Sequence, residues 1–410
     1  MSLIVAKFGG TSVADVERIE RAADKIRREV ELGNKVVVVV SAMSGVTNTL
    51  VGYCDEISKL QDLREYDTVV SAGEQITAGL MSMALQKRGV SARSWMGWQI
   101  PFITNEMHGK ARITDIDTTE INKRLAENEV AVIPGFQGVT PRNRISTLGR
   151  GGSDTSAVAM AAALEADRCD IYTDVDGVYT TDPRIVPQAR KIDKISFEEM
   201  MELASLGAKV LQTRSVEIAM KKGVALQVLS SFEDHIGSDL PGTLIVKEDK
   251  DMEEELVSGI ACARNEAKIT LIGVEDQPGI ASKLFAPLAN AGIGVDMIVQ
   301  NISHDGKATD MTFTVARADK ERAIQTLENA DVSCKEIRAA DNVAKISVVG
   351  VGMISHSGVA SKMFDTLAEK NINIQVISTS EIKISVLIEE DYAELAVRAL
   401  HAAYGLEEPA

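Results

Sequence analysis

LIVAKFGGTSV, residues 3–13, reads as a buried strand that carries Lys7 to its end and stops at two glycines. Gly9 and Gly10 make a turn free of side chains, and Thr11 or Ser12 caps the helix that follows. KVVVVVSAM (35–43) is a second strand, apolar on both faces as a parallel sheet requires. Between them, residues 15–32 have helical spacing and end at Gly33-Asn34. The alternation continues: helix over 68–88, strand and turn in AVIPGFQGV, helix over 153–166, strand and turn in CDIYTDVDG, and a last strand in TLIVKE. The pattern predicts an α/β fold over 1–246, a mostly parallel sheet with helices on both faces.

At 410 residues the chain has room for two or three domains. A net charge of −16 argues against nucleic acid and anionic membrane as partners, so an anionic ligand needs local cations and backbone N–H groups. Cys54, Cys169, Cys262 and Cys334 are far apart in sequence, which fits free thiols in a reducing cytoplasm rather than disulfides or zinc. The five histidines have no ligand spacing, so no protein-bound metal site is expected. MSLIVAKFGG is too short for a signal peptide, and no apolar run is long enough to span a bilayer.

The charge run KEDKDMEEE (247–255) reads as a linker. Beyond it one pattern occurs twice, as KITLIGVEDQPGIASKLFAPLANAGIGVDMIVQN (268–301) and KISVVGVGMISHSGVASKMFDTLAEKNINIQVIST (345–379). Gly279 matches Gly358, Ser282 matches Ser361 and Leu288 matches Leu367. Each copy reads strand, helix, strand, strand, helix, and a ferredoxin-like unit needs one strand more. The first copy (265–342) has CKEIRAA for this. The second (343–410) ends with almost nothing, so LVSGIACAR (256–264) is expected to complete it and interlace the two. A duplicated module beside a larger domain is a natural place for ligands that act away from the chemistry, or for dimerisation alone.

Two further motifs bear on chemistry. LGRGGSDTSAVAMAAAL (148–164) again sets glycines before a helix, with Ser153, Asp154 and Thr155 in its first turn. Two such helix starts at one sheet edge can cradle a polyphosphate. TDVDGVYTTDPR (173–184) packs acids, a tyrosine and an arginine into a loop after a strand: a polar turn, or a nucleotide loop with Asp174, Tyr179 and Arg184 in contact with the ligand. No Walker loop, GxGxxG or protein-kinase signature occurs.

KFGGTSV, SAMSGVTN, SAGEQ, LGRGGSDTSA and TDVDGVYTTDPR, in this order, resemble the aspartate kinases of the amino-acid kinase superfamily, with two C-terminal ACT domains. The resemblance implies transfer of phosphate from ATP, carried with Mg²⁺, to the β-carboxylate of L-aspartate. It implies contact of Lys7 with the transferring phosphate and an organising role for Asp154. Arg150 would hold the α-carboxylate and Glu74 the ammonium, with Ser41, Thr47, Gly151, Gly152 and Ser153 as further substrate-side contacts. Lys7, Phe8, Gly9, Gly10, Thr173, Asp174, Tyr179, Arg184, Lys209 and Val210 would form the nucleotide side. ACT resemblance implies small amino-acid effectors, lysine and threonine. These would sit near Asp276, Gly279, Ile280, Val295, Asp296 and Gln300 in the first copy, and Val359, Ala360, Asn373, Ile374 and Glu381 in the second. It also implies a dimer or larger oligomer, and in some relatives a separate small subunit starting near the position of Met252.

Three rivals stand beside this reading: a carboxylate kinase for another amino acid, a silent amino-acid sensor, and a purely structural dimerisation protein. The chemistry needs no general base, because an aspartate side chain with an ordinary pKa of about 3.9 is already ionised at neutral pH. The difficulty is bringing one anion to another, so positioning and charge neutralisation should carry catalysis.

Overall fold

The computed structural model describes residues 1–205, 210–249, 256–302, 308–330, 333–354, 356 and 358–407. Lys209 and Met252 lie outside these residues, as does most of the expected linker. The chain divides into two compact units.

The first unit is built on an eight-stranded sheet. Its order is Lys194–Ser196, Thr243–Val246, Leu226–Ser230, Arg168–Thr173, Leu3–Phe8, Lys35–Val40, Val130–Pro134 and Ala92–Ser94. Every pair is parallel except Leu226–Ser230 with Thr243–Val246. The valine run has a direct reason: Val36 to Val40 are all at most 1% exposed. Each such side chain contributes roughly 1.5–3 kcal/mol relative to leaving it in water. The helices Val16–Glu31 and Ala72–Lys87 close one face through Ile19, Ile26, Met81 and Leu85. Asp15 caps the first of these by accepting from the backbone N–H of Arg18 at 2.8 Å.

The Leu3–Phe8 strand is central. It pairs with Lys35–Val40 on one side and Arg168–Thr173 on the other. The connections leave in opposite directions from this strand, so a crevice opens at its C-terminal end. A small four-stranded sheet, Ile113–Ile116, Phe102–Thr104, Gln137–Val139 and Ile145–Thr147, supplies a further wall.

The second unit holds a six-stranded sheet, in the order Val295–Ile302, Ala308–Ala316, Gly259–Glu275, Glu336–Val349, Lys383–Glu389, Val376–Thr379. Its 17-residue strand Gly259–Glu275 serves both sequence repeats. Gly259–Ala263 lie against Val349–Lys345, while Lys268–Ile272 lie against Ala340–Glu336 and pair on their other edge with the Ala308–Ala316 strand. The two edge strands meet through Met297, Val299 and Val376. Lys345 is buried here between Glu266 at 3.0 Å and Asp296 at 2.5 Å.

One segment departs from the expectation of a continuous domain over 1–246. Tyr179–Arg190 belongs to the second unit. Ile185, Val186 and Ala189 join its apolar core with Val397, Leu400 and Leu406. Thr180 Oγ1 lies 2.9 Å from Nε2 of the buried His401, on the Ala393–Tyr404 helix, and the backbone N–H of Ile260 donates to Thr180 O at 2.7 Å.

Candidate active site

Lys7 leaves the central strand near its end and meets Asp154 at 2.5 Å, with both side chains about nine-tenths buried. Asp154 stands in the first turn of the Gly152–Ala163 helix. Removing two charges from water costs several kcal/mol per ion, which their mutual attraction must offset. The pair is thus a feature held in place by both strand and helix. Behind Lys7, Phe8 stacks on Tyr172 at 4.5 Å and anchors the strand end. Gly9 N–H donates to Tyr172 O at 3.1 Å and starts the tight turn Gly10–Val13.

Two glycines here have steric reasons. Gly151 has φ +68°, and a Cβ there would stand 1.9 Å from the Gln212 side chain. Only glycine lets the chain turn into the helix at that point. A Cβ on Gly73 would meet that of Ala42 at 2.7 Å, so Gly73 allows the Ala72–Lys87 helix to touch the loop after Lys35–Val40. That contact brings Glu74 to the Ala42 backbone N–H.

A cleft of about 1660 Å³ opens over these residues. Lys7, Gly9, Gly10, Ser41, Thr47, Glu74, Arg150, Gly151, Gly152, Ser153, Asp154, Thr173, Asp174 and Val210 all line it. Glu74 is 3% exposed, and burial pushes its carboxyl up to about 7, against a hydrogen bond from the Ala42 backbone. Its Oε2 has no hydrogen-bond partner among the described residues. A buried carboxylate oxygen facing a cavity without a donor is a place for a ligand's cation. Arg150 is exposed at the same cleft.

Other expected residues fall elsewhere. Tyr179 and Arg184 belong to the second unit, where Tyr179 packs against the apolar core and the exposed Arg184 pairs with Asp182 at 2.7 Å. Phe8 is fully buried and contributes by packing. In the second unit Gly279 and Gly358, with φ +91° and +108°, begin the helices Ile280–Asn290 and Val359–Glu369. Asp276, Gln300, Asn373 and Glu381 are exposed, Val295, Ala360 and Ile374 are half-buried, and Ile280 and Val359 are buried. The Asp296 carboxylate is engaged by Lys345, which holds it below the usual range against the effect of burial.

The cleft also contains cations that no motif announced: Lys110, Arg112, Arg214 and Lys221. Arg214 donates to Leu148 O at 3.1 Å and Ala111 O at 3.0 Å, and burial lowers its pKa. These charges make the cleft a local exception to the acidic chain. No group of three or more His, Cys, Asp or Glu able to hold a metal occurs among the described residues.

A strand-end lysine, glycine-led helix starts and a cationic cleft at the edge of an α/β sheet make a cradle for an anionic ligand. The chain belongs to the amino acid kinase family, whose model matches residues 2–230, followed by an ACT domain model over 269–330 and 346–404. Its relatives are aspartate kinases. It is 57% identical to the aspartokinase of Pseudomonas aeruginosa over 100% of this chain and 99% of that one. It is similar to E. coli aspartokinase III in complex with aspartate and ADP (R-state), with TM-score 0.80, 27% identity, and 98% and 99% of the two chains covered. The same enzyme with lysine and aspartate (T-state) gives TM-score 0.74 at 27% identity, covering 98% of this chain and 99% of that one.

Proposed function

We propose that this protein transfers the γ-phosphoryl group of ATP to the β-carboxylate of L-aspartate, giving 4-phospho-L-aspartate and ADP. This is the first step toward lysine, threonine, methionine and diaminopimelate. The observation that carries the reading is the unpartnered, buried Oε2 of Glu74 in the cleft that also holds Arg150 and the Lys7–Asp154 pair. An amino acid presents one ammonium and one α-carboxylate; Glu74 suits the first, and the planar guanidinium of Arg150 the second. With both ends held, the remaining carboxylate points its oxygen toward Lys7.

An aspartate oxygen attacks the γ-phosphorus, the bond from phosphorus to the bridging oxygen breaks, and ADP leaves with that electron pair. No proton moves. Lys7 neutralises charge as the phosphoryl group passes, and Asp154 fixes the lysine head. N–H groups at the start of the Gly152–Ala163 helix and the Gly9–Gly10 turn favour the phosphates. Mg²⁺ bound to the nucleotide would offset further negative charge, with Asp154 and Asp174 the cleft acids nearest in kind to such a role.

We further propose that lysine, threonine or both regulate the enzyme from the second unit, near the Gly279 and Gly358 helix starts, and that the ACT pair makes an oligomer contact. The lysine complex of the E. coli relative supports an amino-acid effector. Four free cysteines support a reducing, cytoplasmic setting. The reading is tested by ADP release with ATP and a panel of aspartate, glutamate and N-acetylglutamate. Turnover with aspartate alone is expected. Preference for another acceptor would replace the substrate assignment, and no turnover with any acceptor would favour a silent sensor.

A further inference from the structure

One polar cluster in the first unit takes no part in the steps above. Asp67, on the Leu63–Val70 helix, is fully buried. Its carboxylate lies 2.7 Å from His108 Nδ1, 3.1 Å from the Gly109 backbone nitrogen through either oxygen, and 2.5 Å from Thr147 Oγ1. A carboxylate only accepts, so His108 carries a proton on Nδ1 and Thr147 donates its hydroxyl proton.

The donors come from two separate segments, and both line the cleft. Gly109 precedes Lys110 and Arg112; Thr147 ends the Ile145–Thr147 strand, just before the loop that carries Arg150. The same joint is fastened a second time. Ala111 N–H donates to Thr147 O at 2.9 Å, and Arg214 bridges Ala111 O and Leu148 O. A helix that needed only to pack would avoid the desolvation cost of a buried carboxylate by using an apolar side chain. What Asp67 adds is geometry, because its four contacts fix two loops against one helix.

We propose that Asp67 is a positioning residue for the acceptor amino acid. Acting through Thr147 and Gly109, it sets the place of Arg150 and of the Lys110–Arg112 cations, and so sets affinity for the acceptor without touching it. This rests on reading that end of the cleft as the acceptor end.

The test compares steady-state constants for aspartate and for ATP in the full-length protein. Thr147→Val keeps shape and removes one donor, His108→Leu removes another, and Asp67→Asn removes the charge and one accepting oxygen. The KM for aspartate should rise about tenfold in Thr147→Val, equivalent to about 1.4 kcal/mol. The KM for ATP should stay within about twofold, and Thr147→Ser, which restores the hydroxyl, should recover the wild-type value. Arg150→Lys runs alongside as the check on the underlying reading. If Arg150→Lys raises the aspartate KM while Thr147→Val and His108→Leu leave it unchanged, the positioning role is refuted and the acceptor assignment survives. A fall in melting temperature with both KM values unchanged, or an equal rise in both, assigns the cluster to folding alone and also refutes it. An unmoved aspartate KM in Arg150→Lys overturns the acceptor reading and this proposal with it. Should Asp67→Asn fail to fold, the Thr147 and His108 variants decide.

Discussion

Glu74→Gln removes a charge that the free protein holds at a cost. The Glu74 carboxyl is raised from 4.5 to about 7 by burial. At 1.36 kcal/mol for each pH unit, that displacement is worth roughly 3 kcal/mol. The native state keeps its proton after the unfolded chain has lost it. The free protein therefore loses stability as pH rises from 4.5 toward about 7, and the loss levels off above. A substrate ammonium needs the ionised form, so binding must expel the proton. Below about 7 the KM for aspartate should rise up to tenfold for each pH unit, and above it stay level. A hydrogen bond to a charged partner contributes about 1.5–3 kcal/mol, so Glu74→Gln should raise the aspartate KM about ten- to a hundredfold at pH 8. It should also flatten the pH profile and, with no ligand present, leave the protein as heat-stable as wild type or more so. The assay is coupled ADP release across pH 6–8, with melting curves of the free protein. A flat wild-type profile over that range, or an unchanged aspartate KM in the variant, would refute the reasoning.

Lys7→Ala should lose on the order of 10²–10³ in kcat while remaining folded, by analogy with one lost oxyanion donor; near-normal kcat contradicts the role of the strand-end lysine. Arg150→Lys keeps charge but loses the two-point grip, so the aspartate KM should rise far more than the ATP KM; the reverse result would move Arg150 to the nucleotide side. His401, buried with Nδ1 unpartnered among the described residues, has its pKa lowered chiefly by burial. The unfolded state therefore binds more protons, and stability should fall as pH drops below 6.5, more steeply in wild type than in His401→Gln; parallel melting curves from pH 5 to 7 would exclude a neutral buried imidazole. Asp276→Ala should weaken inhibition by lysine or threonine about tenfold or more, with uninhibited activity unchanged; loss of both would make Asp276 structural.

The parts of the site legible in sequence are those written locally. Lys7 at its strand end stands just before the Gly9–Gly10 turn, and Gly151, which must have φ +68°, stands just before Asp154 at a helix start, so 3–13 and 148–164 announce Lys7 and Asp154. Glu74 was readable as a candidate only through the resemblance, since nothing in SAGEQ tells of the burial that raises its carboxyl. Asp67 and Arg214 escape sequence reading because their partners lie 41 to 103 positions away and are joined only by packing. TDVDGVYTTDPR reads as one loop, yet the break falls inside it: Val178 stays with the first unit and Tyr179 joins the second. The apolar residues that draw it there, Ile185, Val186 and Ala189, follow the motif and look like ordinary loop residues. Strand counting exposes the deficit of the second repeat. That one strand runs unbroken from Gly259 to Glu275 is a matter of register between the two halves, which no local pattern encodes.

The central claim is that an aspartate held through its ammonium by Glu74 and through its α-carboxylate by Arg150 receives the phosphoryl group on its β-carboxylate beside Lys7. Trapping the product with hydroxylamine tests it most directly, because an acyl phosphate gives a hydroxamate and a phosphate ester does not. The purified protein, incubated with ATP, Mg²⁺ and aspartate, should yield β-aspartyl hydroxamate and ADP in equal amounts, and neither without aspartate. ADP release that is independent of aspartate, or ADP with no hydroxamate, would contradict the account.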